Sequence, residues 1–496
     1  MTESGWGPSW SPPRRLAWAG GLAAGLTGAV VVALLAGGPH RPADRDPAGP
    51  AASTDVPVPC VRLSAPGSSA PLKATTISTV EQAYSCILAH YYGGPTLDTR
   101  ALLVPAFAAF TQELQRRGVD QPDATLPELT GDRRRDWAAF SVVYRQVTDR
   151  LPPDADLRQA LAAVVVNAMV ASLNDDHASW VRAVPSPGAG PDDVYGLGMQ
   201  GLSAMQGLRA DPTAVPPLFV TSVLAGSPAA RQDVRPGDVI TAVNDVPPFI
   251  DGVFSAAVLR WLNQRYPRGD AVRLAMHRPS TGAAFTVTLT PAVFRSPQPD
   301  VSARPLRGDV GYVKLPGFVP GSADRVLRAI DALRAARALR GVILDLRGNN
   351  GGPPPEAARL LGAFAHGRIT GYDCDIRGAC TANRTDDSVA LLNLPLTVLV
   401  DRSCASACED FSGAVRGLGL GQLVGSRTAG VVAGPAGRYL LTDNSVLNLP
   451  STHHLGPNKE HVDTIGVAPD NLAPQTADDL SAGRDPGVDK ALSLLS

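Results

Sequence analysis

The sequence predicts an α/β fold in which a helical N-terminal region and a β-rich module precede a core of alternating strands and helices. Three observations carry this. Residues 75–183 hold runs with helical periodicity. Residues near 192–294 switch to short alternating, strand-like runs bounded by Gly, Pro and Asp. From about 305 onward, buried apolar runs alternate with amphipathic ones, the order expected of a parallel sheet. The chain has 496 residues, enough for two or three domains with a sizeable core.

The first 74 residues stand apart. Arg14 and Arg15 precede the uncharged stretch Leu16 to Gly38. About 20 apolar residues suffice to cross a bilayer as a helix, and basic residues ahead of them favour the cytoplasm for the preceding tail. Residues 1–15 are therefore expected as a cytoplasmic tail and 16–38 as a transmembrane anchor or export signal. The length of the apolar run and the lack of a clear Ala-x-Ala site favour the anchor. Residues 39–74 are rich in Pro, Ala and Asp and predict a disordered linker. The rest of the chain is then extracytoplasmic: at the cell membrane if the leader is retained, secreted if it is cleaved.

Residues 75–190 form the predicted helical region, with helices at Thr79–Tyr92, Thr99–Arg117 and Leu157–Leu173. The last runs into Asn174-Asp175-Asp176-His177. Residues 191–297 form the β-rich module, with strands at Leu218–Val223, Val272–Met276 and Ala284–Leu289 and a short helix at Val253–Gln264. Residues 305–496 form the α/β core. Its expected strands are Val310–Leu315, Gly341–Leu346, 394–400 and Gln422–Gly425, with helices at Gly321–Ala336 and Pro355–Ala365 and another after Ser406.

Composition excludes some functions. A net charge of −1 and 5% aromatic residues leave no electrostatic case for nucleic acid. The six cysteines fall into three sequence-local pairs, which suits an oxidising compartment. No Cys or His spacing matches a zinc site, so neither a metal nor another cofactor is implied.

The most informative stretch is Asp401-Arg402-Ser403-Cys404-Ala405-Ser406-Ala407-Cys408-Glu409, between an apolar strand and a helix start. A serine flanked by small residues at such a junction can expose its hydroxyl and surround a developing oxyanion with backbone N–H groups. Cys404 and Cys408 share a face if the stretch is helical. They would either form a disulfide stiffening the turn or pack as two small buried residues.

Several motifs resemble a known family. Gly226-Ser227-Pro228-Ala229-Ala230 with Val234-Arg235-Pro236-Gly237-Asp238 resembles the signature of a PDZ domain. Asp345-Leu346-Arg347-Gly348-Asn349-Asn350-Gly351-Gly352, the Ser406 segment and Gly466-Val467-Ala468-Pro469-Asp470 resemble the C-terminal processing peptidases and their tricorn-core and retinoid-binding-protein relatives. The resemblance covers roughly residues 75–480. It implies a ClpP/crotonase-like core and a serine endopeptidase that acts through an acyl-enzyme without cofactor.

Carried over residue by residue, the attacking serine is Ser406. The lysine base of the processing peptidases falls on Val431, which cannot accept a proton. The tricorn branch implies a histidine base instead, here His177 in Leu173-Asn174-Asp175-Asp176-His177. It also implies a carboxylate just before the Gly-Val-x-Pro-Asp landmark, here Asp463, with Glu460 as the fallback. His453, His454 and His461 are rival histidines in a polar loop. The expected oxyanion donors are the N–H groups of Ala407 and of Gly351 or Gly352. Arg347 is expected to fix its loop. Gly196, Leu197 and Gly198 resemble the carboxylate-binding loop of a PDZ domain, which implies protein or peptide substrates engaged through their C-termini. The same fold also hosts non-catalytic binding proteins, the alternative reading.

Overall fold

The computed structural model describes residues 59–64, 71–182, 190, 192–206, 209–210, 213–296, 300–432, 434 and 436–495. The predicted tail, anchor and most of the linker lie outside these. Among the described residues no helix is long and apolar enough to cross a membrane.

The helical region contains α1 (Ile77–His90), α2 (Thr99–Arg116), α3 (Arg133–Asp149) and α4 (Ala155–Ala171). Asp98, Asp132 and Asp154 cap the last three, each carboxylate accepting backbone N–H groups of the first turn. Helix α3 was not expected. Its polar composition hides a narrow apolar face of Phe140, Tyr144 and Val147, all buried.

This region is not a free-standing domain. Its core also includes Tyr439, Leu441, Leu447 and Leu449 from the C-terminal half. Strand Ser179–Val181 pairs with Val446–Pro450, and Val61–Arg62 pairs with Leu440 and Tyr439. The linker expected to be disordered is thus ordered at 59–64. There Cys60 forms a disulfide with Cys86 of α1, and the strand pairing satisfies the backbone.

The β-rich module is a five-stranded sheet in the order Ala283–Leu289, Val272–Arg278, Val239–Val243, Leu218–Val223, Met199–Leu202. Helix Ala256–Leu262 contributes Val258 and Leu262 to its separate core.

The C-terminal core is a six-stranded sheet of β1 (Ser302–Leu306), β2 (Val310–Lys314), β3 (Gly341–Asp345), β4 (Leu396–Val400), β5 (Gly421–Gly425) and β6 (Asn471–Leu472), in that order. Only the β1–β2 pair is antiparallel. Strands β3 and β4 are buried throughout, as continuous apolar runs in a parallel sheet require. Helices α5 (Ser322–Ala336), α6 (Pro354–Gly362) and α7 (Ala407–Gly417) connect the strands, and α8 (Pro486–Leu495) packs on the opposite face with Val488, Ala491 and Leu492. The loops leaving the C-terminal ends of β3 and β4 therefore meet at one edge of the sheet. Ligand sites of open α/β sheets form at such edges.

Candidate active site

Ser406 lies between β4 and α7 with φ 55° and ψ −126°, a conformation side-chain-bearing residues rarely adopt. The surroundings hold it there. Its N–H donates to the Val431 carbonyl at 2.7 Å, and its own carbonyl accepts from Glu409 N at 2.7 Å and Asp410 N at 3.0 Å. The Ala405 N–H donates to the Asn349 carbonyl at 3.2 Å. Cys404 and Cys408 form a disulfide that brackets the serine, and both are fully buried. Ala407 occupies the first helical position, where an N–H has no partner within the helix.

Gly351 explains why its loop needs glycine. A Cβ there would lie 2.5 Å from the Ala405 carbonyl, 2.7 Å from Ser406 Cβ and 2.9 Å from Ala407 N, and its φ is 92°. The loop thus packs directly against the serine. The Gly351 N–H itself is engaged, donating to Asn349 Oδ1 at 2.8 Å. Of the expected oxyanion donors, Ala407 and Gly352 fit better than Gly351.

Glu409 organises the other side and received no role from the sequence. It is fully buried three residues after Ser406. Its carboxylate accepts the Thr428 hydroxyl and the N–H groups of Gly430 and Val431, both at 2.7 Å. Burial pushes its pKa up to about 7 despite these donors. Glu409 thereby fixes residues 428–431, whose Val431 carbonyl receives the Ser406 N–H. A carboxylate on the inner face of an otherwise apolar helix was the available signal.

Asp463 reaches the same place from the C-terminal side. Its Oδ1 accepts the Val432 N–H at 3.2 Å, and Thr464 N donates to the Gly430 carbonyl at 2.7 Å. Burial, then the charge of Asp175, raises its pKa to about 6, and Asp176 adds to the shift. The His177 loop is therefore close enough for its charges to act on Asp463. That loop leaves α4 through Asn174 at φ 49°, and Asp175, itself buried, accepts the His177 N–H at 2.9 Å. Burial lowers the His177 pKa, opposed by Asp175 and Asp176. The ring Nδ1 is enclosed without a hydrogen-bond partner. No hydrogen bond joins His177 to Ser406 or to Asp463 among the described residues.

The rivals sit differently. Glu460 and His461 are exposed. His454 is 4% exposed, with Nδ1 3.2 Å from Asp373 and Nε2 3.2 Å from Asp410 of α7, so carboxylates face both ring nitrogens. Arg347 is committed to Asp345 and Asp485. In the β-rich module, Gly196 and Gly198 have φ of 154° and 82°, and a Cβ on Gly198 would overlap Ser227. Leu197 is buried, and its carbonyl accepts the Ala229 N–H at 2.9 Å. The loop leads into Met199–Leu202, an edge strand.

Comparison with known proteins agrees with this architecture. Residues 309–472 match peptidase family S41, and residues 219–252 match the PDZ domain. The chain is 29% identical over 347 residues to the chloroplastic carboxyl-terminal-processing peptidase 2 of Arabidopsis thaliana, covering 67% of this chain and 64% of that one. It is 32% identical over 188 residues to tricorn protease homolog 1 of Streptomyces coelicolor, covering 38% of this chain and 17% of that protein. The fold is similar to that of mature CPAF complexed with lactacystin, with a TM-score of 0.50, 13% identity, and coverage of 84% and 97%. The strained serine turn and its glycine loop both lie within the segment that matches peptidase family S41, and the β-rich module holds the segment that matches the PDZ domain.

Proposed function

We propose that this chain is an extracytoplasmic serine endopeptidase, anchored to the membrane by residues 16–38, whose PDZ domain recruits or gates peptide substrates through their C-termini. The carrying observation is Ser406 itself: a strained, half-buried serine at a strand-to-helix turn, beside the Ala407 N–H and a glycine loop in contact with it. Ser406 attacks the peptide carbonyl. His177 takes the hydroxyl proton and returns it to the leaving amine. Asp463 orients the imidazole, and the N–H groups of Ala407 and Gly352 receive the oxyanion. Water then hydrolyses the acyl-enzyme.

Three disulfides, Cys60–Cys86, Cys374–Cys380 and Cys404–Cys408, support an oxidising compartment. The edge strand Met199–Leu202 behind its glycine loop supports peptide capture by strand addition. A second reading, a binding protein that keeps the fold without the chemistry, is favoured by Val431 at the lysine position and by the unpartnered Nδ1 of His177. Labelling with a fluorophosphonate probe separates the two. The endopeptidase reacts at Ser406, and Ser406→Ala abolishes the reaction. Folded wild-type protein that shows no Ser406-dependent labelling sinks the hydrolase reading.

A further inference from the structure

One short C-terminal segment contacts both the PDZ-like signature turn, at Gly237, and the start of the glycine loop, at Arg347. Helix Ala477–Ser481, capped by Thr476 and Asp479, lies against the PDZ module. Gly237, in the turn Arg235–Asp238, has φ 88°, and a Cβ there would lie 2.3 Å from Ser481 N and 2.7 Å from the Ala477 carbonyl. Ser481 Oγ accepts the Ser280 N–H at 3.0 Å and donates to Ser280 Oγ at 2.8 Å. Four residues on from Ser481, Asp485 accepts both terminal nitrogens of Arg347, each at 2.8 Å.

Each anchor is rigid in turn. On the PDZ side, fully buried Asp238 accepts Arg278 at 2.8 and 2.9 Å. The same turn bonds to strand Leu218–Val223: Gly237 N donates to the Val220 carbonyl at 2.8 Å, and Val220 N to the Asp238 carbonyl at 3.0 Å. Val220 pairs with Leu202 of the edge strand. On the core side, Arg347 is fixed by Asp345, which is 1% exposed and also accepts Tyr312 and Lys314. Burial opposes ionisation of Asp345, but Arg347 and Lys314 hold it well below the usual carboxylate range. Arg347 begins the loop whose Asn349 carbonyl accepts Ala405 N and whose Gly351 abuts Ser406.

We propose that residues 476–485 form a strap that couples occupancy of the PDZ edge strand to the glycine loop beside Ser406, with Asp485 as its positioning residue. A displacement of the 235–238 turn moves Ser481. Only residues 482–484 separate Ser481 from the bidentate Asp485–Arg347 pair, and Arg484 within them is tied back to Asp479 at 3.0 Å. Little slack remains, so the movement passes to Arg347 and the loop it begins. A separate contact, Arg402 to Thr213 Oγ1 at 2.7 Å, offers a competing route. The inference rests on the peptide-recruiting role proposed above, but its test does not depend on hydrolysis.

The test is hydrogen–deuterium exchange of the full chain with and without a saturating peptide that ends in a free carboxylate, with binding followed by fluorescence anisotropy. In the wild type, peptide changes exchange at residues 348–352 by about fivefold or more, the scale of ordinary site-to-site coupling. Asp485→Asn and, more weakly, Ser481→Ala bind the peptide equally but lose the change at 348–352. Asp485→Glu restores it. An undiminished response in Asp485→Asn assigns the coupling to Arg402–Thr213 and overturns the strap, as does a wild type that binds peptide without a response or does not bind it. Fluorophosphonate labelling runs in parallel. Coupling without labelling sinks the hydrolase reading and leaves the strap, whereas labelling without coupling does the reverse. Should Asp485→Asn unfold, Ser481→Ala, which removes only a hydroxyl at an exposed contact, carries the test.

Discussion

Ser406 is held from several directions, and His177 is held from one. The serine's amide, its carbonyl and the preceding residue are all hydrogen-bonded, a disulfide brackets it, and Gly351 packs against its Cβ. The histidine has a backbone bond to Asp175, while its ring Nδ1 is enclosed with nothing to bond. An unmet buried polar atom costs about 1–3 kcal/mol, so such an arrangement persists where another state of the site uses it. On the proposed mechanism the nucleophile is thus preorganised, and the base gains its partner only once substrate is bound. Catalytic hydrogen bonds are often long in unliganded enzymes for this reason.

The largest expected effect breaks this comparison at its weaker side. His177→Ala should slow fluorophosphonate acylation and kcat/KM by about 10²- to 10⁴-fold, the usual worth of a general base. Thermal stability should hold or rise slightly, because the variant deletes an unsatisfied buried nitrogen. Full activity in His177→Ala would remove this residue from the mechanism and leave the serine without a base on this face.

The same asymmetry decided what could be read from the sequence. The Ser406 turn was legible because it is local: strand, small residues, serine and helix lie close together in the chain, and glycines mark the partner loop. The core strands were legible because a parallel sheet buried on both faces demands continuous apolar runs. Helix α3 was not, since Arg133 to Asp136 mask its buried aromatic face. Nor were the pairings of Val61–Arg62 with Tyr439–Leu440 and of Ser179–Val181 with Val446–Asn448, which join segments far apart in the chain. The Asp485–Arg347 pair and the carboxylates around His454 are equally non-local. Glu409 lay inside a quoted motif, yet its role depends on the fold of residues 428–431, which the motif does not encode.

Glu409 gives the next effect, on the stronger side of the comparison. Its pKa is raised on folding from 4.5 to about 7. Folding therefore favours the protonated form. This contribution is fully present below pH 4.5 and is lost as pH rises through about 7, a swing of about 3 kcal/mol. Glu409→Gln is neutral at every pH and lacks the swing. Denaturant unfolding at pH 4.5 and pH 8 should show the variant gaining on the wild type by up to that amount at the higher pH. A gap that does not change with pH would mean that Glu409 does not titrate in this range, and that the turn is stiffened by its donors alone.

The smallest effect tests whether Asp463 belongs with His177. It forms no hydrogen bond to the histidine in this structure and is one methylene shorter than a glutamate, so its loss should cost only about tenfold, less than a fully engaged orienting carboxylate. The pH dependence is more diagnostic than the size. With its pKa raised to about 6, Asp463 is ionised at pH 8 and about nine-tenths protonated at pH 5. Wild-type kcat/KM should therefore fall toward the level of Asp463→Asn as pH drops, and the two should nearly meet at pH 5. Burial lowers the His177 pKa, and loss of the Asp463 charge lowers it further, so each protein's histidine ionisation is fitted from its own pH profile before the ratio is taken. A ratio of about ten that persists unchanged from pH 8 to pH 5 would show that Asp463 acts through its bond to Val432 rather than through its charge. His177 would then work without a carboxylate from this loop, and the nearest remaining candidate would be Asp175, the residue that already holds its backbone.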